Sequence, residues 1–201
     1  FSVKRDLADC AASYIDGTHL VVTELEHNTL EYTVSFDNVI DTNAFDVEIS
    51  YDPAVMELVS SESALEDTIF TDASGENGTA RLISGVQDPF TSNEKMDVAT
   101  FTFRLKDGVQ PGDTTVTLTR ANTVQVTGEG SDITSQDVVS TIIKGEATTT
   151  IYSYKAASDI NKDGSVTLAD LAIALVNYQT AEASCDVNLD GEVNTLHYVI
   201  I

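Results

Sequence analysis

The sequence contains no tryptophan and little positive charge, and both shortages narrow the range of possible functions. Its 201 residues include 33 acidic and 10 basic side chains, which give a net charge of −23. Nucleic acids and anionic membrane surfaces are both bound through basic patches, so we expect neither as a partner. The absence of tryptophan also weighs against carbohydrate binding, because sugar-binding faces usually present aromatic platforms.

Long apolar runs and catalytic motifs are missing as well. The longest apolar stretch, residues 171–176, is far shorter than the ~20 residues of a membrane-spanning helix. The three histidines lie in unrelated contexts, and the sequence has no phosphate-binding loop or metalloprotease motif. We therefore expect a protein that is not an enzyme and is not inserted in a membrane.

Cysteine is scarce, since only Cys10 and Cys185 are present. In an oxidising compartment they permit one disulfide, and two separate thiols are the alternative. The sequence begins at Phe1 and ends at Ile201, one turn into an expected helix. We expect a piece of a longer secreted chain, located outside the cell or at its surface.

Alternating apolar and polar residues dominate residues 19–145. The alternation is strict in residues 29–36, 45–52 and 99–106. Such a pattern indicates strands of an antiparallel sheet with one buried and one exposed face. With weaker runs and the turn signals between them, the total is about eight or nine strands, which predicts an antiparallel β-sandwich.

A different pattern begins at residue 159, where the sequence DINKDGSVTLAD has the spacing of a calcium-binding loop. Calcium takes six to eight oxygen ligands, and alternate residues of a tight loop supply them. Gly164 holds position 6, where such loops turn sharply. The candidate ligands, at positions 1, 3, 5, 7, 9 and 12, are Asp159, Asn161, Asp163, Ser165, Thr167 and Asp170.

The same pattern recurs 27 residues later. Gly191 again holds position 6, but position 12 is His197, whose imidazole is a poor ligand for a cation that prefers oxygen. We expect calcium as the cofactor, bound at the first loop and more weakly at the second. The second set of candidate ligands is Asp186, Asn188, Asp190, Glu192 and Asn194.

A short helix is predicted directly after the first loop. Leu168, Leu171, Ala172 and Leu175 fall on one helical face, and neighbouring apolar residues cover other faces. A short helix that is apolar all round must bury more than one face. The second face would pack either on a docking partner or on the chain's own sandwich.

Two loops of the form D-x-N-x-D-G resemble a dockerin, the small calcium-folded module that plugs into a cohesin. The resemblance covers residues 159–201 and departs from the family at His197, where dockerins have aspartate. It implies that positions 10 and 11 of each loop contact the partner, and these are Leu168, Ala169, Thr195 and Leu196. The alternative is that the loops bind calcium only as structural staples.

Residues 19–145 resemble a cohesin, above all in the segments 34–39, 45–60 and 98–118. A cohesin implies a jelly-roll β-sandwich with one flat sheet face that docks a dockerin, and it implies no catalytic residue. Related sandwiches, including carbohydrate-binding modules, share the pattern.

The predicted organisation is therefore mostly β with a small α-helical module. Residues 1–18 form an arm or the remnant of an upstream domain, 19–145 the cohesin-like sandwich, 146–158 a short linker and 159–201 the dockerin-like module. The predicted function is non-catalytic, calcium-dependent protein–protein assembly in an extracellular, polysaccharide-associated bacterial or archaeal protein. Two alternatives stay open: a carbohydrate-binding sandwich with a calcium-stabilised appendage, and a sandwich that only stabilises the dockerin.

Overall fold

The computed structural model describes residues 11–128 and 132–195. These residues form two compact units. The first contains the described residues within 1–19, 29–108 and 113–149, and the second those within 20–28, 109–112 and 150–201.

The described residues are mostly β-strand, with two short helices. The strands are β1 Ala12–Gly17, β2 Leu20–Val22, β3 Thr29–Asp37, β4 Val39–Ser50, β5 Met56–Ser63, β6 Thr68–Glu76, β7 Thr79–Ser92, β8 Met96–Leu105, β9 Gly112–Thr127, β10 Thr134–Val139, β11 Thr141–Lys144 and β12 Glu146–Tyr152. The helices are α1 Tyr154–Ser158 and α2 Leu168–Val176. None of the helices in the described part of the chain is long and apolar enough to cross a membrane.

The first unit is a sandwich of two sheets. One sheet has the order β11-β1-β3-β8-β5, and the other has the order β12-β9-β4-β7-β6, with β10 paired to β9. The pairs β3–β8, β5–β8, β4–β7 and β4–β9 are antiparallel, whereas β1 and β11 run parallel. The predicted antiparallel β-sandwich is confirmed. Strands β2 and β11 fall within two of the weaker predicted runs, whereas β6 was not predicted because its side chains are exposed along nearly all its length.

The apolar residues of the three strictly alternating segments supply much of the core of the sandwich, which is completed by residues of other strands, such as Ile15, Leu82 and Val116. The rings of Phe36 and Phe45 meet edge to face with centroids 4.9 Å apart, and those of Tyr32 and Phe103 meet at 5.7 Å. Each such buried side chain contributes roughly 1.5–3 kcal/mol relative to leaving it exposed. The Tyr32 hydroxyl is satisfied inside the core by the Thr149 hydroxyl at 2.6 Å, and burial raises its pKa.

The second unit joins two segments that are distant in sequence. The last residues of β12 pair in parallel with β2, with Thr150 opposite Leu20. The Glu24 carboxylate accepts the N–H groups of Tyr154 at 3.1 Å and Lys155 at 3.2 Å, at the start of α1. Burial opposes ionisation of Glu24, but these hydrogen bonds and one from the Ser153 hydroxyl leave its pKa below the usual value.

Candidate functional site

The first candidate calcium loop is held by hydrogen bonds between its own polar groups. The backbone N–H groups of Asp163 and Gly164 donate to the two carboxylate oxygens of Asp159 over 3.1 and 2.8 Å. Asp163 N–H also donates to the Asn161 side-chain oxygen at 2.9 Å, and Ser165 N–H donates to Asp163 at 3.0 Å. These bonds gather the side chains of positions 1, 3 and 5 into one turn.

The second loop repeats these hydrogen bonds position for position. The N–H groups of Asp190 and Gly191 donate to Asp186 over 3.2 and 2.9 Å, and Glu192 N–H donates to Asp190 at 3.0 Å. The Asn188 amide donates to Asp190 at 2.9 Å, as the equivalent asparagine does in the first loop. The two sequence copies therefore share one local conformation.

Backbone angles show the same equivalence. Position 6 has a φ of 90° at Gly164 and 88° at Gly191, a conformation that favours a residue without Cβ. Position 4 is left-handed in both loops, with φ of 57° at Lys162 and 59° at Leu189. Such a conformation costs a non-glycine residue roughly 1–2 kcal/mol. In each loop, the internal hydrogen bonds must offset this cost.

Asp170 both closes the first loop and begins helix α2. Its carboxylate accepts the N–H groups of Asn161 at 3.1 Å and Thr167 at 2.8 Å. The Thr167 hydroxyl accepts Ala169 N–H at 3.2 Å. It also accepts the N–H of Asp170, and this bond together with the one from Thr167 N–H to the Asp170 carboxylate forms a capping box at the start of the helix. Asp170 is fully buried, and the hydrogen bonds from Asn161 and Thr167 lower its pKa.

The chemistry of both loops suits calcium. No group of three or more histidine, cysteine or acidic side chains in 11–128 and 132–195 is gathered to hold a metal. A cation here would therefore depend on neutral oxygens as well, from asparagine amides, backbone carbonyls and water. Calcium accepts such mixed oxygen sets at flexible distances, whereas transition metals favour nitrogen and sulfur. The residues present fit calcium on these grounds.

Three predicted residues lie outside the described part of the chain: Cys10, Leu196 and His197. The disulfide and the last ligand position of the second loop therefore stay predictions. Cys185 is buried immediately before the second loop. Asn194 donates its side-chain amide to Asp190 at 2.9 Å, and its role as a calcium ligand stays a prediction.

Helix α2 leaves most of its predicted apolar face exposed. Leu168 of that face is 81% exposed and Leu175 53%, and Val176, next to the face, is 84% exposed, whereas the fully buried residues are Asp170 and Ala174. The reason is the capping box, which turns the Asp170 side of the helix toward the loop and its polar groups. An apolar stripe therefore remains on the opposite side.

A cluster of charges on the sandwich is not indicated by the sequence pattern. Asp46 alternates with core residues and is expected to be exposed, yet it is 4% exposed. Arg81 donates to both of its carboxylate oxygens at 2.7 Å, and Arg120 Nη1 lies 3.4 Å from one of them. These hydrogen bonds raise the pKa of Arg81. The arginines lie on β7 and β9, which flank β4 on either side.

The fold of the first unit is that of a two-sheet antiparallel β-sandwich module. The sequence model described as "Cohesin domain" matches residues 22–144, more than half of the chain, and the chain belongs to the cohesin family. Cohesins are non-catalytic protein–protein assembly modules, which confirms the prediction that this domain is not an enzyme.

Solved structures show the same fold at low sequence identity. A cohesin module of a Clostridium perfringens family 33 glycoside hydrolase is 11% identical with a TM-score of 0.54, covering 72% of this chain and 98% of that one. A non-cellulosomal cohesin from Archaeoglobus fulgidus is 16% identical, with a TM-score of 0.51 and coverages of 73% and 95%.

A third structure, a type I OlpC cohesin–dockerin complex from Clostridium thermocellum, is 15% identical, with a TM-score of 0.52 and coverages of 76% and 99%. No curated protein matches the sequence significantly.

Proposed function

We propose that this chain is a double assembly unit, in which the cohesin sandwich binds a dockerin-type module of another protein and residues 159–201 form a second, calcium-dependent docking module. The observation that carries the second half is the pair of loops with matching hydrogen bonds, followed in the first case by helix α2. The first half is supported by family membership and by the dockerin bound to the similar OlpC cohesin.

Calcium would supply the positive charge that allows the acidic side chains of each loop to lie close together. In the first loop, calcium would have to draw the carboxylates of Asp159, Asp163 and Asp170 together, because they are not gathered around one point in the structure, and Asn161 would add an amide oxygen. Because Asp170 also caps α2, a cation at this loop would stabilise the start of the helix. The proposal therefore links the metal to the docking surface.

The docking surface is the exposed apolar stripe of α2, which we define as Leu168, Ala172, Leu175 and Val176. All four residues are exposed to solvent, although three are large and apolar. Burial of such a side chain in an interface contributes roughly 1.5–3 kcal/mol. Thr195, at the equivalent place after the second loop, is exposed and polar. We therefore expect the first helix to be the main anchor and the module to bind in one orientation.

An extracellular, polysaccharide-associated setting completes the proposal. Calcium is abundant outside cells, which suits sites of modest affinity. The net charge of −23 would keep the surface well solvated.

The proposal is tested by calcium calorimetry and by partner capture from the secreted proteins of the source, with calcium or with chelator. We expect calcium binding that Asp163→Ala abolishes at the first loop and that Asp107→Ala, an exposed acid in another turn, leaves unchanged. Capture of a dockerin- or cohesin-bearing protein only in calcium would support the assembly role. If titration with a soluble oligosaccharide gives a heat of binding and no protein is captured, a carbohydrate-binding sandwich is favoured instead.

A further inference from the structure

The second loop has an anchor that its sequence motif does not contain. The hydroxyl of Tyr152 donates a hydrogen bond to the backbone carbonyl of Val187 at 2.7 Å. Val187 is position 2 of the loop, between the candidate ligands Asp186 and Asn188, and it is 1% exposed. A hydrogen bond at this point fixes the backbone that carries both ligands.

Tyr152 is itself held in place. It is the last residue of β12 and pairs with Val22 of β2. Its ring packs edge to face on Tyr154 with centroids 5.8 Å apart. A phenol is protonated at neutral pH, so the Tyr152 hydroxyl keeps the proton that it donates. A rigid, neutral donor therefore faces the loop.

The opposite side of the loop is held by backbone bonds. Gln179 N–H donates to the Val193 carbonyl at 2.8 Å, and Val193 N–H donates to the Thr180 carbonyl at 2.9 Å. Cys185, immediately before the loop, and Val193, within it, are both buried. The first loop differs, because its own Asp170 closes it through two backbone N–H groups.

We propose that Tyr152 is a positioning residue that preforms the second calcium loop and so compensates for the histidine at position 12. The calcium part of this inference rests on the proposed function. A loop that is already ordered loses less conformational entropy when it binds a cation, and it therefore binds more tightly. The end of β12, where Tyr152 lies, would thus set the affinity of the second site.

The test compares Tyr152→Phe with Tyr154→Phe, which removes a hydroxyl from the neighbouring ring but breaks no equivalent bond to residues 186–195 of the loop. Hydrogen exchange of the Asp190 and Gly191 amides is measured first in calcium-free protein. Those amides donate to Asp186 and report whether the loop is formed. We expect faster exchange in Tyr152→Phe alone.

Calcium is then titrated while the amide resonances of Gly164 and Gly191 are followed, so that each loop reports its own binding. Loss of one hydrogen bond should weaken binding at the second loop by about tenfold and leave the first unchanged. Equal exchange and equal affinity in the two variants would overturn the inference, as would equal weakening of both loops. If wild-type protein binds calcium at neither loop, the proposed calcium dependence fails, but the metal-free exchange still decides the role of Tyr152.

Discussion

Replacement of Asp46 by alanine removes the carboxylate on which two arginines of the sandwich converge. Its side chain is 6% exposed, and Arg81 binds both of its oxygens at 2.7 Å with 37% of its own side chain exposed. Breaking a fully buried pair costs about 3–5 kcal/mol, and breaking an exposed pair at most about 1 kcal/mol. Because one partner is buried and the other is partly solvated, we expect a loss of about 2 kcal/mol in the free energy of unfolding. Arg120 lies 3.4 Å from the Asp46 carboxylate and its side chain is 42% exposed, so losing this contact adds only about a few tenths of a kcal/mol to the loss.

Urea unfolding of the wild type and the variant measures this difference, and Glu57→Ala is the matched control. Glu57 pairs with Arg104 on the other sheet, but both side chains are well exposed. We expect Glu57→Ala to cost less than about 1 kcal/mol and to cost still less at high salt. If Asp46→Ala is no more destabilising than Glu57→Ala, burial does not strengthen the Asp46 cluster and the reasoning is wrong.

Four further predictions concern the calcium loops, the docking helix and the cysteines. Excess chelator should abolish the helical circular dichroism of α2, because a cation at the first loop would hold Asp170, which caps the start of this helix; an unchanged spectrum would contradict this. His197→Asp should raise the calcium affinity of the second site, whereas two equal sites in wild-type calorimetry would argue against it. Leu168→Asp should weaken partner binding at least about a hundredfold with calcium still bound, and Thr195→Asp should weaken it less. Thiol counting on denatured, unreduced protein should find Cys10 and Cys185 bonded, and two reactive thiols would exclude the disulfide.

Local periodicity was sufficient to locate the sandwich. In β3, β4 and β8 the side chains that alternate as apolar are those that fill the core, because a strand presents successive residues to opposite faces. The calcium-loop motif likewise depends on residues a few positions apart, and its two copies adopt the same hydrogen bonds. Both features are encoded within about a dozen residues, which is why sequence reading finds them.

Features that depend on distant partners were not predictable in this way. The partners of Asp46 lie 35 and 74 residues away, so alternation alone placed it on the exposed face. Glu24 accepts a hydrogen bond from the start of α1, 130 residues later in the sequence. Nothing in the sequence around Glu24 indicates that it caps a helix. Strand β6 is the edge strand of its sheet and is exposed along nearly all its length. Its sequence therefore has no alternating apolar residues that would predict a strand.

The parallel pairing of β1 and β11 has a mechanical consequence. Ala12 lies opposite Thr141 and Ser13 opposite Ile142, on strands close to the start and end of the sandwich in sequence. A force applied between the start of β1 and the end of β11 would run along this ladder and load its hydrogen bonds together. An antiparallel terminal pair would instead open one bond at a time. A tether that holds protein assemblies under flow would benefit from this geometry, since its lifetime under load is set by the rate of unfolding.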